Sequence, residues 1–482
     1  MRLPDKPLSQ QAIFKELSQL EQLDPHYKKA KLFSLVYYLG EAYTGFLSKV
    51  FYKFFSANGL NPGAFKSLKV MERNIVAMTA DLFHGDDAVC GVVTSGGTES
   101  CLLAVKTYRD FARVTKRIKK PEMIVADTAH VAWLKGAQYF NVKIHRVHSL
   151  PEGGMDIDAV KKKINRNTIL LLGSAPEYPH GLIDPINKLS ALAVKYKIPL
   201  HVDACVGGFI LPFIEENGHA LPPWDFRVEG VTSISADIHK YGFAAKGASL
   251  ILYRHQRHFE HQVFVDVDWP GGIFASPALL GTRPGGAYAA AYAALLANGR
   301  KGYLKLAKDA LSATEQLKKG ITELGFKILG NPQATLFAYR SSRPDIDVFA
   351  VADLMEKHGW FIDRIQKPDA LHAMVTPGHL RIVKDYLRDL KACLIIAQKQ
   401  PELSQKGQAA TYGMMAHVPF RKIVKKQVLK MFASTYRISG GVLNLEDVSL
   451  ENSVSDAGTP VKRPLAERFA LWLAERNRKR NR

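Results

Sequence analysis

The sequence predicts an α/β fold: a mostly parallel central sheet with helices on both faces, followed by a smaller C-terminal α+β domain. Three observations lead to this expectation. Between Val89 and about residue 300, short apolar runs alternate with amphipathic segments of helical period, the pattern of strands joined by crossover helices. Beyond that point the order changes to helix, strand and helix, which suits a second, smaller layer. The composition, 47% hydrophobic and 23% charged over 482 residues, allows a large dry core and excludes disordered, collagenous and disulfide-scaffold classes.

Taken in order, residues 1–80 read as a helical arm, because Ile13, Leu17 and Leu20, then Val70, Ile75 and Met78, recur at helical spacing. The first strong turn signal is Asn58-Gly-Leu-Asn-Pro-Gly63. Residues 81–300 are expected to form the large, ligand-binding domain. GVVTS, EMIVAD, TILLLG, IPLHVDA, SISADI and ASLILYR are its expected strands, rich in Val, Ile and Leu. LLAVKTYRDFARVTK, DIDAVKKKI and INKLSALAVKYK space their apolar residues as helices do. Ligands in such sheets sit beyond the carboxyl ends of the strands. Residues 301–440 make the smaller domain, with helices over 303–324, 348–358 and 380–399 and a strand over 334–339. Residues 441–482 are a polar, basic tail ending in an amphipathic helix, with Leu465, Phe469, Trp472 and Leu473 on one face.

Lys plus Arg number 66 against 45 Asp plus Glu, a net charge of +21 that favours anionic partners. No recognised nucleic-acid-binding module accompanies the charge, so nucleic acid is not expected as a partner. The most apolar long stretch, residues 32–55, carries Glu41, Lys49 and Lys53 and fails as a membrane span. The opening MRLPDKPLSQQ lacks the charged start and apolar run of a signal peptide. A soluble, cytoplasmic protein is expected, with secretion toward a host left open. The tail helix is expected to pack on its own subunit; weak peripheral contact with an anionic membrane is the less favoured reading. Cys90, Cys101, Cys205 and Cys393 show no CxxC pair and no framework spacing, so a reducing compartment is expected and no metal centre.

The chemistry lies in three segments. Thr94-Ser-Gly-Gly-Thr-Glu-Ser100 follows a strand and opens a helix. Backbone amides there, opened by glycines and flanked by hydroxyls, suit a phosphate, although a Ser/Thr-capped turn has the same look. Asp203 ends IPLHVDA at the ligand-facing edge of the sheet, where an isolated Asp more often caps a loop. In Ser235-Ala-Asp-Ile-His-Lys-Tyr-Gly242, His239 and Lys240 follow a strand, Lys240 thirty-seven residues after Asp203. Together they supply an anion cradle, a carboxylate that keeps a pyridinium nitrogen protonated, and an amine able to form an imine. That set describes a site for pyridoxal 5'-phosphate. His130, in Asp127-Thr-Ala-His130, follows another strand and is placed to stack over the ring; alone it would read as a polar strand-end cap.

The strings VTSGGTES, APEYPHGLIDP, YKIPLHVDACVGGF, FRVEGVTSISADIHKYGFAAKG and WPGGIFASPALLGTRPGG resemble the sphingosine-1-phosphate lyases of the group II pyridoxal phosphate-dependent decarboxylase family. The resemblance runs nearly without gaps from about Tyr37 to Tyr436. It implies the fold type I of pyridoxal phosphate-dependent transferases and an obligate homodimer with shared active sites. It makes Lys240 the Schiff-base lysine, Asp203 the partner of the ring nitrogen and His130 the stacking residue, with Tyr178 a further catalytic candidate. Gly97, Thr98 and His239 would hold the cofactor phosphate, and Thr282 of TRPGG would reach in from the second subunit, where the family usually has serine. Lys246 matches the basic residue for a substrate phosphate, and Tyr37, Asn58 and Tyr412 match further substrate contacts. Two positions depart from the pattern. Asn61 replaces a substrate-phosphate histidine and carries no charge, and Ala129 precedes His130 where relatives often show serine.

The activity so implied is a carbon–carbon lyase acting on a phosphorylated long-chain amine. Retro-aldol cleavage between its amine-bearing and hydroxyl-bearing carbons would give a long-chain aldehyde and phosphoethanolamine. Amino-acid decarboxylation is the alternative within the same machinery, and Tyr37, Lys246 and Tyr412 suit a phosphate better than an α-carboxylate. A lipid-binding protein without turnover is a third reading, against which Lys240, Asp203 and the glycine cradle stand.

Overall fold

The structure, a computed structural model, describes residues 3–61, 63–150, 153–417 and 421–438. The basic tail expected over 441–482 lies outside the described residues. The chain divides into two compact units. The larger comprises Tyr37–Arg340 and His372–Val383; the smaller is built from described parts of residues 1–36, 341–371 and 384–482.

Helix α1 (Gln10–Glu21) belongs to the smaller unit and buries no residue. The larger unit then runs α2 (Glu41–Lys53), α3 (Lys66–Leu82), β1 (Cys90–Thr94), α4 (Gly97–Lys116), β2 (Glu122–Ala126), α5 (Ala132–Phe140), β3 (Lys143–Val147), α6 (Ile157–Lys163), β4 (Thr168–Ser174), α7 (Ile186–Tyr196) and β5 (Leu200–Ala204). It continues with α8 (Leu211–Glu216), β6 (Val231–Ala236), β7 (Ser249–Tyr253), α9 (Gln256–Phe259), β8 (Phe264–Asp266), β9 (Phe274–Ser276) and α10 (Gly285–Glu323). Strands β1 to β7 form one sheet in the order β1-β7-β6-β5-β4-β2-β3. Strands β2 to β6 pair in parallel, and only β7 runs antiparallel to its neighbours β1 and β6.

Every residue of β4 and β5 is buried, as central parallel strands covered on both faces require. The faces alternate with period two. Met123 and Val125 pack with Val105, Tyr108 and Trp133 of α4 and α5, whereas Ile124 and Ala126 join a second cluster with Ile75, Leu189 and Ala291. The fold is therefore the expected one, a mostly parallel sheet between helical layers. Among the elements that the sequence reading missed, β3, Lys143-Ile-His-Arg-Val147, is an edge strand with only Val147 buried, so it has no apolar run, and short α5 lies hidden before it.

The expected boundaries at residues 80 and 300 do not coincide with the division of the compact units. Leu47, Leu68 and Ile75 of α2 and α3 are part of the larger unit's core, and α10 carries that unit past residue 300. The helix expected to begin at 303 begins at Gly285 and is interrupted at Gly299, whose φ of 53° and ψ of −178° suit only a residue without a Cβ. Beyond α10 come β10 (Phe326–Ile328), β11 (Leu336–Ser341), α11 (Val348–Lys357), β12 (Asp363–Ile365), β13 (Ala370–Met374), α12 (Val383–Lys399), α13 (Gly407–His417) and α14 (Arg421–Thr435). The smaller unit has its own aromatic centre, where Phe33, Trp360 and Tyr386 pack together and the Trp360 indole donates to Asp389 at 2.9 Å. No described helix is long and apolar enough to cross a membrane.

Candidate active site

Strand register gathers the candidate residues. In the parallel core, Ser174 of β4 lies opposite Asp203 of β5, and Asp203 opposite Ser235 of β6, which sets three polar residues in a row at the carboxyl edge. Because β7 runs the other way, its first residue meets the same edge. Ser249 is paired with Thr94, the last residue of β1, just before α4 opens at Gly97.

Lys240 follows β6 by a tight turn. Its Nζ lies 2.8 Å from Oδ2 of Asp237, which is 2% exposed, and Ser249 Oγ donates to Asp237 Oδ1 at 2.5 Å. Burial works against the Lys240 ammonium, but Asp237 outweighs it and lifts the amine above its ordinary range. His239 Nδ1 accepts the Ala248 N–H at 3.3 Å, and its Nε2 lies 3.7 Å from Asp237 Oδ2. Burial is the main cause that lowers His239 to about 4, so the ring is neutral at physiological pH.

Asp203 is fully enclosed. Trp133 Nε1–H donates to its Oδ2 at 2.8 Å and the Cys205 N–H to its Oδ1 at 3.1 Å. Burial opposes the charge, yet the Trp133 indole, nearby His130 and Cys205 together hold the carboxyl below its usual range. His201 lies against the Trp133 ring at 4.9 Å and bonds Ser233 and Ser235; burial lowers it to about 4, so it supports Trp133 without adding charge. Cys101, Asp203 and Cys205 place ligand atoms within 4.8 Å of one another. Burial raises the Cys101 thiol to about 11, and the hydrogen bond with Cys101, with burial next, raises Cys205 well above its ordinary value. These are protonated thiols packed beside Asp203, in keeping with a site that uses no thiolate.

His130 is exposed in the loop after β2, and its Nδ1 lies 3.2 Å from the Ala132 N–H. Its ring stands edge-on to Tyr178 at 6.3 Å, and Tyr178 packs on His372 at 4.3 Å. Lys246 Nζ lies 5.1 Å above the Tyr37 ring and 3.3 Å from the His239 carbonyl. Burial, then Lys240, lower Lys246 to about 8. The Tyr37 hydroxyl contacts Met374 Sδ, and burial raises it well above its ordinary value.

Two expected site residues form a separate group. Asn58 Nδ2 donates to Thr282 Oγ1 at 3.3 Å, and Asn58 Oδ1 accepts from the Leu60 and Arg283 amides at 2.9 and 3.2 Å. Asn61 is exposed, and its Oδ1 accepts the Gly63 and Ala64 amides at 2.9 and 3.2 Å, closing the turn that leads into α3. Tyr412 belongs to the smaller unit, where it packs on Phe349 and under the Arg364 guanidinium. Asp237 and Trp133 were not singled out in the sequence. Their only signals are position: Asp237 stands three residues before Lys240, and Trp133 three after His130.

Pyridoxal 5'-phosphate fits these residues. A Cβ built on Gly97 would fall 2.7 Å from Asp237 Oδ2 and 2.9 Å from Cys205 Sγ, so only glycine allows this close approach. No side chain caps α4, and its first residues, Gly97 and exposed Thr98, present amides at the positive end of a twenty-residue helix. A buried, ionised Asp203 and an amine-bearing Lys240 complete the donor set.

Fold and site together define the class: a pyridoxal phosphate-dependent enzyme of fold type I. Residues 1–341 match the pyridoxal-dependent decarboxylase conserved domain. The chain is 41% identical over 437 residues to sphingosine-1-phosphate lyase of Oryza sativa subsp. japonica, covering 89% of this chain and 80% of that relative. Sphingosine-1-phosphate lyase 1 of Rattus norvegicus is 41% identical over 426 residues, covering 88% and 74%. Among solved structures, the sphingosine-1-phosphate lyase of Burkholderia pseudomallei superposes with a TM-score of 0.81 at 34% identity, over 90% of this chain and 97% of that one. The glutamate decarboxylase of Lactobacillus brevis shares the fold, with a TM-score of 0.73 at 21% identity over 83% and 95%. The chain belongs to the sphingosine-1-phosphate lyase family.

Proposed function

We propose that the protein is a pyridoxal 5'-phosphate-dependent lyase that cleaves the C2–C3 bond of phosphorylated sphingoid bases, releasing a long-chain aldehyde and phosphoethanolamine. The observation that carries this reading is the second cation beside the reactive lysine. Lys246 is held over Tyr37 and bonds the carbonyl of His239, the residue before Lys240, and burial, then the Lys240 charge, lower it, a place where a substrate phosphate, rather than an α-carboxylate, would be neutralised. This favours the lyase over amino-acid decarboxylation.

When bound, the cofactor supplies an electron sink joined to the amine-bearing carbon of the substrate. Lys240 would anchor it and give way to the substrate amine. Asp203 would meet the ring nitrogen with a carboxylate that Trp133 and Cys205 keep ionised. His130 would cover the ring, and the Gly97 and Thr98 amides with the Nε2–H of His239 would hold the phosphate. A base takes the proton of the substrate hydroxyl; Tyr178, beside His130 and His372, is the candidate among this chain's residues. The C2–C3 bond then breaks, its electron pair staying with the amine-bearing carbon as the hydroxyl carbon becomes the aldehyde. Asn58, Asn61 and Tyr412 are proposed as further substrate contacts, and Thr282 as the residue that completes the site of a partner subunit. A cytoplasmic homodimer is part of the same reading.

The test is product analysis. Loaded protein incubated with sphingosine 1-phosphate should release aldehyde and phosphoethanolamine in equal amounts, and Lys240→Ala should release neither. Cofactor-bearing protein that yields no aldehyde would move the assignment to the decarboxylase alternative.

A further inference from the structure

None of the roles above uses Asp237, although it makes the closest polar contact to Lys240. Its carboxylate is 2% exposed and held from both sides, by Lys240 Nζ at 2.8 Å and Ser249 Oγ at 2.5 Å. Ser249 Oγ in turn lies 3.1 Å from Ser100 Oγ, which lies 2.7 Å from Thr94 Oγ1. Buried hydroxyls from β1, α4 and β7 thus brace one carboxylate, which cannot turn toward water. A buried carboxylate so fixed needs a cation. His239 stands farther off at 3.7 Å and is neutral, so the pairing falls to Lys240. The other titratable groups facing this pair are Asp203, Cys205, Cys101, Tyr37, Tyr241 and Lys246. Of these, Lys246 opposes the Lys240 charge and Asp203 assists it.

We propose that Asp237 is the positioning residue of Lys240, holding its amine in one direction and keeping it an ammonium ion until the C2–C3 bond has broken, so that Lys240 delivers a proton in the cleavage rather than removing one. The inference deepens the lyase reading and rests on Lys240 being the cofactor lysine. After the C2–C3 bond breaks, the amine-bearing carbon holds an electron pair and needs one proton. The Lys240 ammonium gives it: a C–H bond forms as an N–H bond breaks, leaving a neutral amine. That neutral amine is the form able to displace the product amine from the cofactor. The proton taken from the substrate hydroxyl balances the one delivered to carbon.

The experiment reads Lys240 directly. Wild-type and Asp237→Asn proteins, stripped of cofactor, are acylated with acetic anhydride from about pH 7 to about pH 11, and label on the Lys240 peptide is compared with label on exposed lysines by mass spectrometry. Wild-type Lys240 should be slow near pH 8, and Asp237→Asn should speed it about ten-fold or more, since losing an opposite charge at this range moves a pKa by about 1–3 units. Asp237→Glu, which keeps the charge, should restore slow labelling. If Asp237→Asn does not fold, Ser249→Ala keeps the carboxylate, removes its brace and should raise labelling by a smaller factor. Equal labelling of wild type and the variant that folds overturns the proposal. Borohydride reduction of loaded wild type separates the two ideas: cofactor mass absent from the Lys240 peptide would refute the lyase reading and leave the charge pairing standing.

Discussion

Gly97→Ala tests whether the start of α4 is a cofactor cradle. The added Cβ would sit 2.7 and 2.8 Å from the two Asp237 oxygens and 2.9 Å from Cys205 Sγ, where ordinary contact begins at 3.4 Å. The carboxylate must therefore retreat by about 0.7 Å, yet Ser249 holds it at 2.5 Å and Lys240 at 2.8 Å. Overpacking of this kind costs about 1–3 kcal/mol. The strain is relieved only by moving the first turn of α4 or the Lys240 pair, both of which the cofactor needs. Taken from cofactor binding at about 1.4 kcal/mol per decade, that cost weakens affinity by roughly 5- to 150-fold. Gly96→Ala is the control. Its Cβ would meet only His239 Cε1 at 3.6 Å, and the extended φ of 167° suits any residue. Titration of stripped protein with pyridoxal 5'-phosphate, followed by absorbance, gives both dissociation constants, and urea unfolding checks the fold. A Gly97→Ala protein that binds within two-fold of wild type would refute the cradle.

Three further outcomes are expected. Trp133→Phe removes the indole donor of an ionised carboxylate and should cost about 1.5–3 kcal/mol in urea unfolding. Asp203 is held below its unfolded pKa, so its stabilisation is present above that value and lost as pH falls; without the indole, the acid-unfolding midpoint should move to higher pH, and an unmoved midpoint counts against the assignment. Lys246 is charged below about pH 8 and neutral above it, so KM for a phosphorylated amine should rise through pH 8, while Lys246→Arg should flatten that rise. Asn61→His should lower KM below about pH 6.5, where an imidazole is charged, but it gives up the acceptor for the Gly63 and Ala64 amides, costing about 0.5–1.5 kcal/mol; unchanged KM at that pH and an unchanged urea midpoint would show that the position serves neither purpose.

Much of the sheet was legible because its central strands are buried on both faces. TILLLG and IPLHVDA are continuous apolar runs, and their ends name the ligand edge. Edge strand β3 was not legible, since its polar residues face solvent and carry no alternation. The first half of α10, Ala- and Gly-rich and buried nearly all round, has no polar face to betray a helical period. Within the candidate site, Lys240 and Asp203 drew attention in the sequence because each lies at or just beyond the end of a strand in a motif of unusual residues. Asp237 did not, because its bracing appears only when antiparallel β7 brings Ser249 from twelve residues away. Nor could spacing pair Asn58 with Thr282; that contact spans 224 residues and depends on Asn58 bridging to Pro284.

A cofactor phosphate carries about two negative charges, and the start of α4 already has the Asp237 carboxylate beneath it. Attraction by net charge is therefore a poor account of how the phosphate would be held. Lys240 is the nearest cation, but Asp237 takes up its charge, and once bonded to the cofactor it is no longer a separate ammonium. What remains are oriented dipoles: uncapped amides at the head of a long helix, and a neutral His239 whose Nδ1 is occupied by the Ala248 N–H. With Nδ1 accepting, the ring proton lies on Nε2, and burial keeps the ring neutral, so His239 donates a hydrogen bond without adding a buried charge. Holding one phosphate by dipoles leaves the Lys246 ammonium, over the Tyr37 ring and bonded to the His239 carbonyl, as the positive centre for a second, and burial, which lowers it to about 8, makes that centre sensitive to pH. The same arrangement would let a single enzyme discriminate between a phosphate it retains through every turnover and one it must release with the product.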